Sequence, residues 1–161
     1  MSGFILDLGQ LSQGSNRFRL EADAAEVGLG SSGWPGRLIA DCMVERTGDR
    51  ISVRGILKAG ARLECVRCLK GCERDIETTL EVFAERHGAG RRRDEDELER
   101  GDYMKFHDGR RLDLTDEARE SLLLEIPIAP VCREDCRGLC PRCGADLNDG
   151  PCACQDPGEA R

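Results

Sequence analysis

The stretch "ISVRGILKAGARLECVRCLKGCERDIETTLEVFAE", residues 51–85, contains two apolar–polar alternations with a cysteine pair between them. Strict alternation is typical of strands that have one face in a core and the other in water. The pattern predicts two antiparallel strands joined as a hairpin, with Gly55 as the candidate position of a β-bulge and with Cys65 and Cys68 at the tip. The predicted core positions are Ile51, Val53 and Leu57 in the first strand and Ile76, Thr78, Leu80, Val82 and Ala84 in the second.

Shorter segments on both sides of this hairpin are further strand candidates. Upstream lie "FILDLGQL", "NRFRLEAD" and "RLIADCMVER", the last of which places Cys42 on one face with Leu38 and Val44. We interpret Cys42 as a core residue, because free cysteine behaves as a small apolar side chain. Downstream, "DYMKFHDGRRLDL" predicts a strand pair with its turn at Asp108 and Gly109.

One helix is predicted after these strands. Thr115 is the candidate N-cap, and the acidic residues that follow it suit the positive end of the helix dipole. Pro127 ends the helix, whose apolar residues recur at four-residue spacing in Ala118, Leu122 and Ile126. The predicted fold class is α+β, with an antiparallel, partly barrel-like sheet, one or two helices and a small C-terminal zinc knuckle.

Six cysteines lie in "CREDCRGLCPRCGADLNDGPCAC", residues 132–154. A C-x2-C turn followed by glycine brings two sulfurs to the same side of a tight loop, and an i, i+4 pair shares one face of a helical turn. Zinc prefers four such thiolates in a tetrahedron, so the sequence predicts two structural sites. The first is formed by Cys65, Cys68, Cys132 and Cys136, and the second by Cys140, Cys143, Cys152 and Cys154.

The spacing leaves other ligand sets open. Cys72 is an alternative to Cys68, and a single zinc ion is possible with the ligands Cys132, Cys136, Cys140 and Cys143. We interpret His87 and His107 as surface residues. A catalytic zinc keeps an open coordination position and a nearby general base, whereas four thiolates make a closed site. The chain is therefore predicted to have no enzymatic activity.

The net charge and the hydropathy of the chain limit its possible partners and its cellular location. The formal charge of −7 argues against a protein that coats nucleic acid by bulk electrostatics. The first residues do not resemble a signal peptide, and no apolar run reaches the roughly 20 residues of a membrane span. We therefore predict a cytoplasmic location, where thiols stay reduced and bind metal.

The predicted domain organisation is a sheet and helix core over residues 1–131 with a charged, mobile insertion at 87–102, a zinc-binding tail over 132–154 and a disordered end at 155–161.

Three segments are distinctive in combination: "LECVRCLKGCERDIE", "LDLTDEARESLLLEIPIAPVC" and "CRGLCPRCGADLNDGPCAC". Together they resemble the YceD family of large ribosomal RNA subunit accumulation proteins, and the resemblance covers residues 37–154. It implies a non-enzymatic factor that supports the accumulation or processing of large-subunit ribosomal RNA. The implied partners are that RNA, its precursor particle or a large-subunit ribosomal protein, with no membrane and no small-molecule substrate.

The cysteine-rich segments also contain basic residues, which suggest how such a partner is held. We hypothesise that zinc orders them into a patch that contacts RNA phosphates or an acidic partner, although solvated charges explain them equally well. The patch residues are Arg62, Arg67, Lys70, Arg133, Arg137 and Arg142. The alternative function is a redox-regulated zinc chaperone, in which oxidation releases zinc and unfolds the tail.

Overall fold

A computed structural model describes residues 3–86 and 104–154 of the chain. Within these residues the protein is mostly sheet, with seven strands and one α-helix. The helix α1 spans Thr115–Glu125. The strands are β1 (Ile5–Asp7), β2 (Gly14–Asp23), β3 (Arg37–Thr47), β4 (Arg50–Glu64), β5 (Gly71–Arg86), β6 (Met104–His107) and β7 (Arg111–Asp113).

The strands form two open sheets. A five-stranded sheet has the order β2-β3-β4-β5-β6, and a two-stranded sheet pairs β1 with β7. β3 pairs antiparallel with both β2 and β4, whereas β6 pairs parallel to β5. In the described part of the chain the larger sheet ends at β2 and β6, so the prediction of a partly barrel-like sheet is wrong. The prediction that β6 and β7 pair with each other is also wrong, since each joins a different sheet.

The long strands follow the alternation of the sequence. In β3 the residues Leu38, Ala40, Cys42 and Val44 are all buried, which confirms Cys42 as a core residue. β4 buries Ile51, Val53 and Leu57, and β5 buries Ile76, Leu80, Val82 and Ala84. Each strand thus places one face in the core, as its period of two requires.

Gly55 lies in a regular ladder and not in a bulge. It pairs with Cys42, and the register from Ile39–Lys58 to Thr47–Arg50 has no inserted residue. A Cβ atom at this position would lie 2.6 Å from the carbonyl oxygen of Asp41 and 2.7 Å from the Cys42 Sγ. Glycine is needed here because β3 approaches too closely for any side chain.

The helix begins one residue earlier than predicted, because Thr115 is its first residue and Leu114, not Thr115, is its N-cap. The side chain of Asp113 accepts a hydrogen bond from the Thr115 N–H at 2.9 Å. Ala118 and Leu122 are fully buried, and the helix ends before Pro127 as predicted. No helix in the described residues is long and apolar enough to cross a membrane.

His107 on β6 is buried, so its interpretation as a surface residue is wrong. Its Nδ1 accepts a hydrogen bond from the Gly109 N–H at 3.0 Å, and its Nε2 lies 3.2 Å from the Asp49 carbonyl oxygen. A ring that accepts at Nδ1 carries its proton at Nε2 and donates there, so both ring nitrogens are satisfied by the backbone. His87 and the predicted insertion at 87–102 lie outside the described residues.

The chain divides into two compact units. The first contains Met1–Gly60 and Asp75–Ile126, and the second contains Ala61–Arg74 and Pro127–Arg161. The end of β4, the start of β5 and the turn between them therefore belong with the cysteine-rich tail, whereas the sequence pattern assigns residues up to 131 to the core. The predicted disordered end at 155–161 lies outside the described residues.

Candidate metal centre

The tip of the β4–β5 hairpin forms a tight knuckle around two cysteines. The Leu69 N–H donates to the Cys65 carbonyl oxygen at 2.8 Å, and the Cys65 N–H donates to the Lys70 carbonyl oxygen at 2.9 Å. Leu69 has φ +60°, a left-handed conformation that is rare for a side chain of its size. This turn directs the sulfurs of Cys65 and Cys68 to one side of the loop.

Two cysteines from the tail complete this first cluster. The four sulfurs of Cys65, Cys68, Cys132 and Cys136 lie within 4.8 Å of one another. The Cys65–Cys136 and Cys68–Cys132 sulfur pairs are 3.8 Å and 3.7 Å apart. A tetrahedron with Zn–S distances near 2.3 Å has edges of about 3.8 Å, so the spacing fits a zinc-sized ion. Residues 132–136 form bends and a turn, closed by a Cys136 N–H bond to the Arg133 carbonyl oxygen at 3.2 Å, and not the predicted helical turn.

The second cluster repeats the same knuckle with the tail alone. The Gly144 N–H donates to the Cys140 carbonyl oxygen at 2.8 Å, and the Cys140 N–H donates to the Ala145 carbonyl oxygen at 2.8 Å. Gly144 has φ +73° and corresponds to Leu69 in the first knuckle. The sulfurs of this cluster also lie within 4.8 Å of one another; they belong to Cys140, Cys143, Cys152 and Cys154.

The first cysteine of each knuckle has an acidic thiol. Backbone N–H groups, that of Cys68 above all, stabilise the thiolate and lower the pKa of Cys65 to about 6. The Cys143 N–H has the same effect on Cys140 and lowers its pKa to about 6. By contrast, burial among other sulfurs raises the pKa of Cys132 to about 12. Each cluster thus contains one cysteine whose thiol ionises more readily than usual, and a bound cation would favour the loss of thiol protons from its ligands.

The two clusters differ in exposure. Cys65, Cys68 and Cys136 form a buried group against which Val131 and Leu139 pack. In the second cluster Cys140 is buried, but Cys143 is exposed. The first cluster therefore forms the buried centre of its unit, where other domains have an apolar core. The second cluster lies at the surface and brings together the two ends of the loop of residues 144–151.

The two sulfur clusters bear on the alternative ligand sets that the cysteine spacing left open. Among the described residues, the single site of Cys132, Cys136, Cys140 and Cys143 does not form, because the last two belong to the other cluster. Cys72 is half-buried and belongs to neither cluster. Both clusters can hold a metal ion, and four sulfurs in a tetrahedron suit zinc or iron. The binding of zinc itself stays a prediction.

The predicted basic patch is largely engaged within its own unit. The Arg67 guanidinium donates to the carbonyl oxygens of Glu134 and Cys136 at 3.1 and 2.9 Å. Arg62 pairs with Glu73 at 3.1 Å, Lys70 pairs with Asp146 at 2.6 Å, and Arg133 pairs with Asp135 at 3.2 Å. Arg137 and Arg142 are exposed, with no side-chain partner among the described residues.

Two residues that the sequence analysis did not single out support the clusters. Asp146 and Asn148 lie in the loop between the two halves of the second cluster, and both are half-buried. The Asn148 Nδ2 lies 3.5 Å from the Cys136 sulfur of the first cluster. The sequence "NDG" at residues 148–150 predicts a turn, and the residue preferences of turns give no indication of a contact between Asn148 and Cys136.

A family model described as "Large ribosomal RNA subunit accumulation protein YceD" matches residues 53–160. This range covers the hairpin, the helix and both cysteine clusters. The chain belongs to the YceD family. The sequence resemblance stated above is therefore confirmed.

Curated relatives of this YceD family member come from bacteria and plants. An uncharacterized protein of Mycobacterium leprae is 33% identical over 71% of this chain and 51% of the relative. A Mycobacterium tuberculosis protein, also uncharacterized, is 34% identical over 69% and 52%. A maize protein named "Large ribosomal RNA subunit accumulation protein YCED homolog 1, chloroplastic" is 26% identical over 93% and 60%. The chain spans about half the length of the mycobacterial relatives it matches, and no solved structure matches it.

Proposed function

We propose that this protein is a non-enzymatic zinc-binding factor that supports the accumulation of large-subunit ribosomal RNA in the cytoplasm. The observation that carries the proposal is the pair of four-sulfur clusters within a chain of the YceD family. A tetrahedral ion with four thiolates has no open coordination position for a substrate or a reactive water. We propose that the metal stabilises the fold of the second unit, and that the surface of this unit binds a partner.

The charge of that surface favours a basic protein of the precursor particle over bare RNA. Residues 61–74 and 127–154 carry seven basic and six acidic side chains. Each filled site adds a net charge of about −2, because four thiolates outweigh one divalent cation. With both sites filled the second unit is therefore negative, as is the chain at −7. A negative unit attracts a basic partner and disfavours phosphate.

The hairpin tip offers the contact for such a partner. Leu69 is 57% exposed and Val66 52% exposed, although both are apolar. Leu69 also keeps a left-handed backbone, which costs about 1–2 kcal/mol for a residue other than glycine. The second knuckle has Gly144 in this position, so the turn itself does not require leucine. We infer that the exposed Leu69 side chain contacts the partner.

The experiment is complementation of a strain that lacks the protein, with large-subunit ribosomal RNA as the readout. We expect Leu69→Asn to lower RNA accumulation and co-sedimentation with precursor particles while zinc content stays unchanged, since asparagine tolerates the left-handed conformation. Leu124→Asn is the matched control, because Leu124 is 86% exposed on the helix of the first unit. Normal RNA levels in the strain without the protein would refute the function, whereas full activity of Leu69→Asn would refute only the contact.

The nature of the partner is tested by crosslinking the tagged protein in cells and treating the lysate with ribonuclease. A basic ribosomal protein that stays attached after ribonuclease treatment supports direct protein contact. Crosslinks to RNA alone contradict direct protein contact. They would instead support the predicted contact between basic residues and RNA phosphates, with the exposed Arg137 and Arg142 as the candidates.

The exposed second cluster favours one other function, a redox-regulated chaperone. Cys143 is exposed to an oxidant, and the pKa of the neighbouring Cys140, which is buried, is lowered to about 6 by backbone N–H groups. Reactivity needs access and ionisation, which this cluster has on two adjacent ligands. Peroxide would then release the ion and unfold residues 140–154. A peroxide-treated protein that loses metal and prevents aggregation of an unfolded client supports this function. Metal loss without client protection speaks for the ribosomal function alone.

A further inference from the structure

Asn148 links the two cysteine clusters through both ends of its side-chain amide. Its Nδ2 group lies 3.5 Å from the Cys136 Sγ, as a donor to a ligand of the first cluster. Its Oδ1 accepts from the Arg137 N–H and from the Arg133 Nη2, both at 2.9 Å. One residue of the second cluster's loop thus fixes a ligand of the first cluster and the backbone next to it.

Asp146 anchors the same loop to the hairpin tip. Its Oδ1 accepts from the Asn148 Nδ2 at 2.6 Å and from the Asn148 N–H at 2.9 Å, which orients the amide. Its Oδ2 lies 2.6 Å from the Lys70 Nζ, two residues after Cys68. The loop therefore contacts both halves of the first cluster, the hairpin half through Asp146 and the tail half through Asn148.

The second cluster holds this loop at both of its ends. Cys140 and Cys143 precede it, and Cys152 and Cys154 follow it, so an ion in the second site would close residues 144–151 into a ring. The segment before the loop also lies against the first knuckle, since the Leu139 N–H donates to the Arg67 carbonyl oxygen at 3.0 Å. Without the second ion the ends of the loop would lose their link through the four cysteines. Asn148 would then be held only by hydrogen bonds, to Arg133, Arg137 and Asp146 and through the Leu147 N–H bond to the Gly138 carbonyl oxygen at 2.9 Å.

We propose that the two metal sites are coupled and that Asn148 is the positioning residue that couples them. An ion in the second site orders the loop, and the loop presents the Asn148 Nδ2 to the Cys136 thiolate. A donor of this kind stabilises the thiolate and fixes its direction, and the loss of such outer contacts lowers metal affinity by about 10–100-fold. Coupling between two binding equilibria is reciprocal, so an ion in the first site strengthens the second by the same factor. The proposal is independent of the partner proposed above.

The decisive variant is Asn148→Asp in the full-length, zinc-loaded protein. Aspartate has nearly the same shape and keeps the acceptor for Arg137 and Arg133. It removes the Nδ2 donor to Cys136 and to Asp146, and it adds a negative charge beside both of them. We expect zinc to leave the first site about 10–100-fold faster in a chelator challenge. Asp149→Asn is the matched control, because Asp149 uses its backbone N–H, and not its side chain, to bond the Asp146 carbonyl oxygen at 3.2 Å. Its release rate should equal that of the unchanged protein.

Cadmium NMR of the cadmium-loaded protein separates coupling from a general loss of structure. Two signals are expected, one for each site, and Asn148→Asp should shift the signal of the first site more than that of the second. Both signals unmoved and an unchanged release rate would overturn the role of Asn148.

A second variant tests the coupling without any change at Asn148. Replacement of Cys152 and Cys154 by serine empties the second site and leaves every first-site ligand in place. The remaining cadmium signal should shift in the direction seen for Asn148→Asp, and the first site should release zinc about 10–100-fold faster. A first site that keeps its signal and its release rate in this variant contradicts the proposal, even where Asn148→Asp fails to fold.

Discussion

Gly55 shows how a single residue sets the packing of the central strands. The side chain of Cys42 occupies the space that a side chain at position 55 would need. The cross-strand pair of Cys42 on β3 and Gly55 on β4 therefore packs only when the second residue is glycine. Burial raises the pKa of the Cys42 thiol to about 11, which keeps this sulfur protonated and inert. The cysteine outside the clusters on β3 therefore acts as a core side chain and not as a metal ligand.

Gly55→Ala is expected to destabilise the first unit by about 2 kcal/mol or more, because the added methyl group meets backbone atoms of β3 that cannot move without breaking the ladder. Urea unfolding followed by the fluorescence of Trp34, a buried tryptophan of the first unit, measures the change. Gly30→Ala is the control, since the nearest atom to its added Cβ lies 4.0 Å away. Equal midpoints for the two variants would disprove the close approach.

The Lys70–Asp146 ion pair predicts a pH effect of known sign. Hydrogen bonding to Lys70 lowers the pKa of Asp146 from 3.8 to about 2. A carboxyl group whose folded pKa is depressed contributes stability that is fully present above its unfolded pKa and is lost as the pH falls through the folded pKa. The pair should therefore hold throughout the range from neutral pH to about pH 4 and fail between about pH 4 and pH 2.

Carbon NMR of the Asp146 carboxyl group in the zinc-loaded protein checks this prediction. Between pH 7 and pH 4 the signal should show almost no titration, and Lys70→Met should move the midpoint up toward 3.8. A midpoint that does not respond to Lys70→Met would show that the ion pair does not hold the carboxylate.

At the scale of elements, the sequence predicts what is periodic and local. β3, β4 and β5 follow from alternation, and the hairpin tip at Cys65 and Cys68 follows from the two strands that flank it. The pairing of β6 does not follow, because β6 lies parallel to β5 with residues 87–103 between them, and no local pattern specifies such a partner. The requirement of four thiolates for each zinc ion, together with the cysteine spacing, is enough to predict the two groups of cysteines that the structure brings together. The contact between Asn148 and Cys136 cannot be predicted in this way, because it depends on the fold of the whole tail.

The helix offers a direct test of which of its faces is buried. Leu122 is fully buried and Leu124 is 86% exposed, although both are leucines in the same turn. We expect Leu122→Ala to cost about 2–5 kcal/mol through lost apolar contact and a residual cavity. Leu124→Ala should change stability by less than about 0.5 kcal/mol. Urea unfolding followed by Trp34 fluorescence compares them, and a larger effect at Leu124 would show that the opposite face packs.

At the scale of the whole molecule, the two units are stabilised by different means. The first unit buries apolar faces of its strands and helix, and its core includes Phe4, Leu38, Leu57, Leu80 and Leu122. The second unit has few apolar residues, and its buried group consists of cysteines with Val131 and Leu139 beside them. A structural zinc contributes about 10–16 kcal/mol in small domains, so metal has to supply the stability of the second unit.

Removal of zinc should therefore unfold one unit and leave the other folded. With a strong chelator under reducing conditions, we expect the amides of residues 132–154 to lose protection against hydrogen exchange. Trp34 fluorescence should stay unchanged, because all eight cysteines of the two clusters lie in the second unit and Trp34 lies in the first. A shift in Trp34 fluorescence on chelation would show that the first unit also depends on the metal.

The most direct test of the account is the metal content of the purified protein. Full-length chain made under reducing conditions with zinc supplied should contain two zinc ions, and serine in place of Cys68 or of Cys143 should remove one ion each. An unchanged protein that contains no zinc while its residues 132–154 remain protected against hydrogen exchange would contradict the proposal that metal stabilises the second unit.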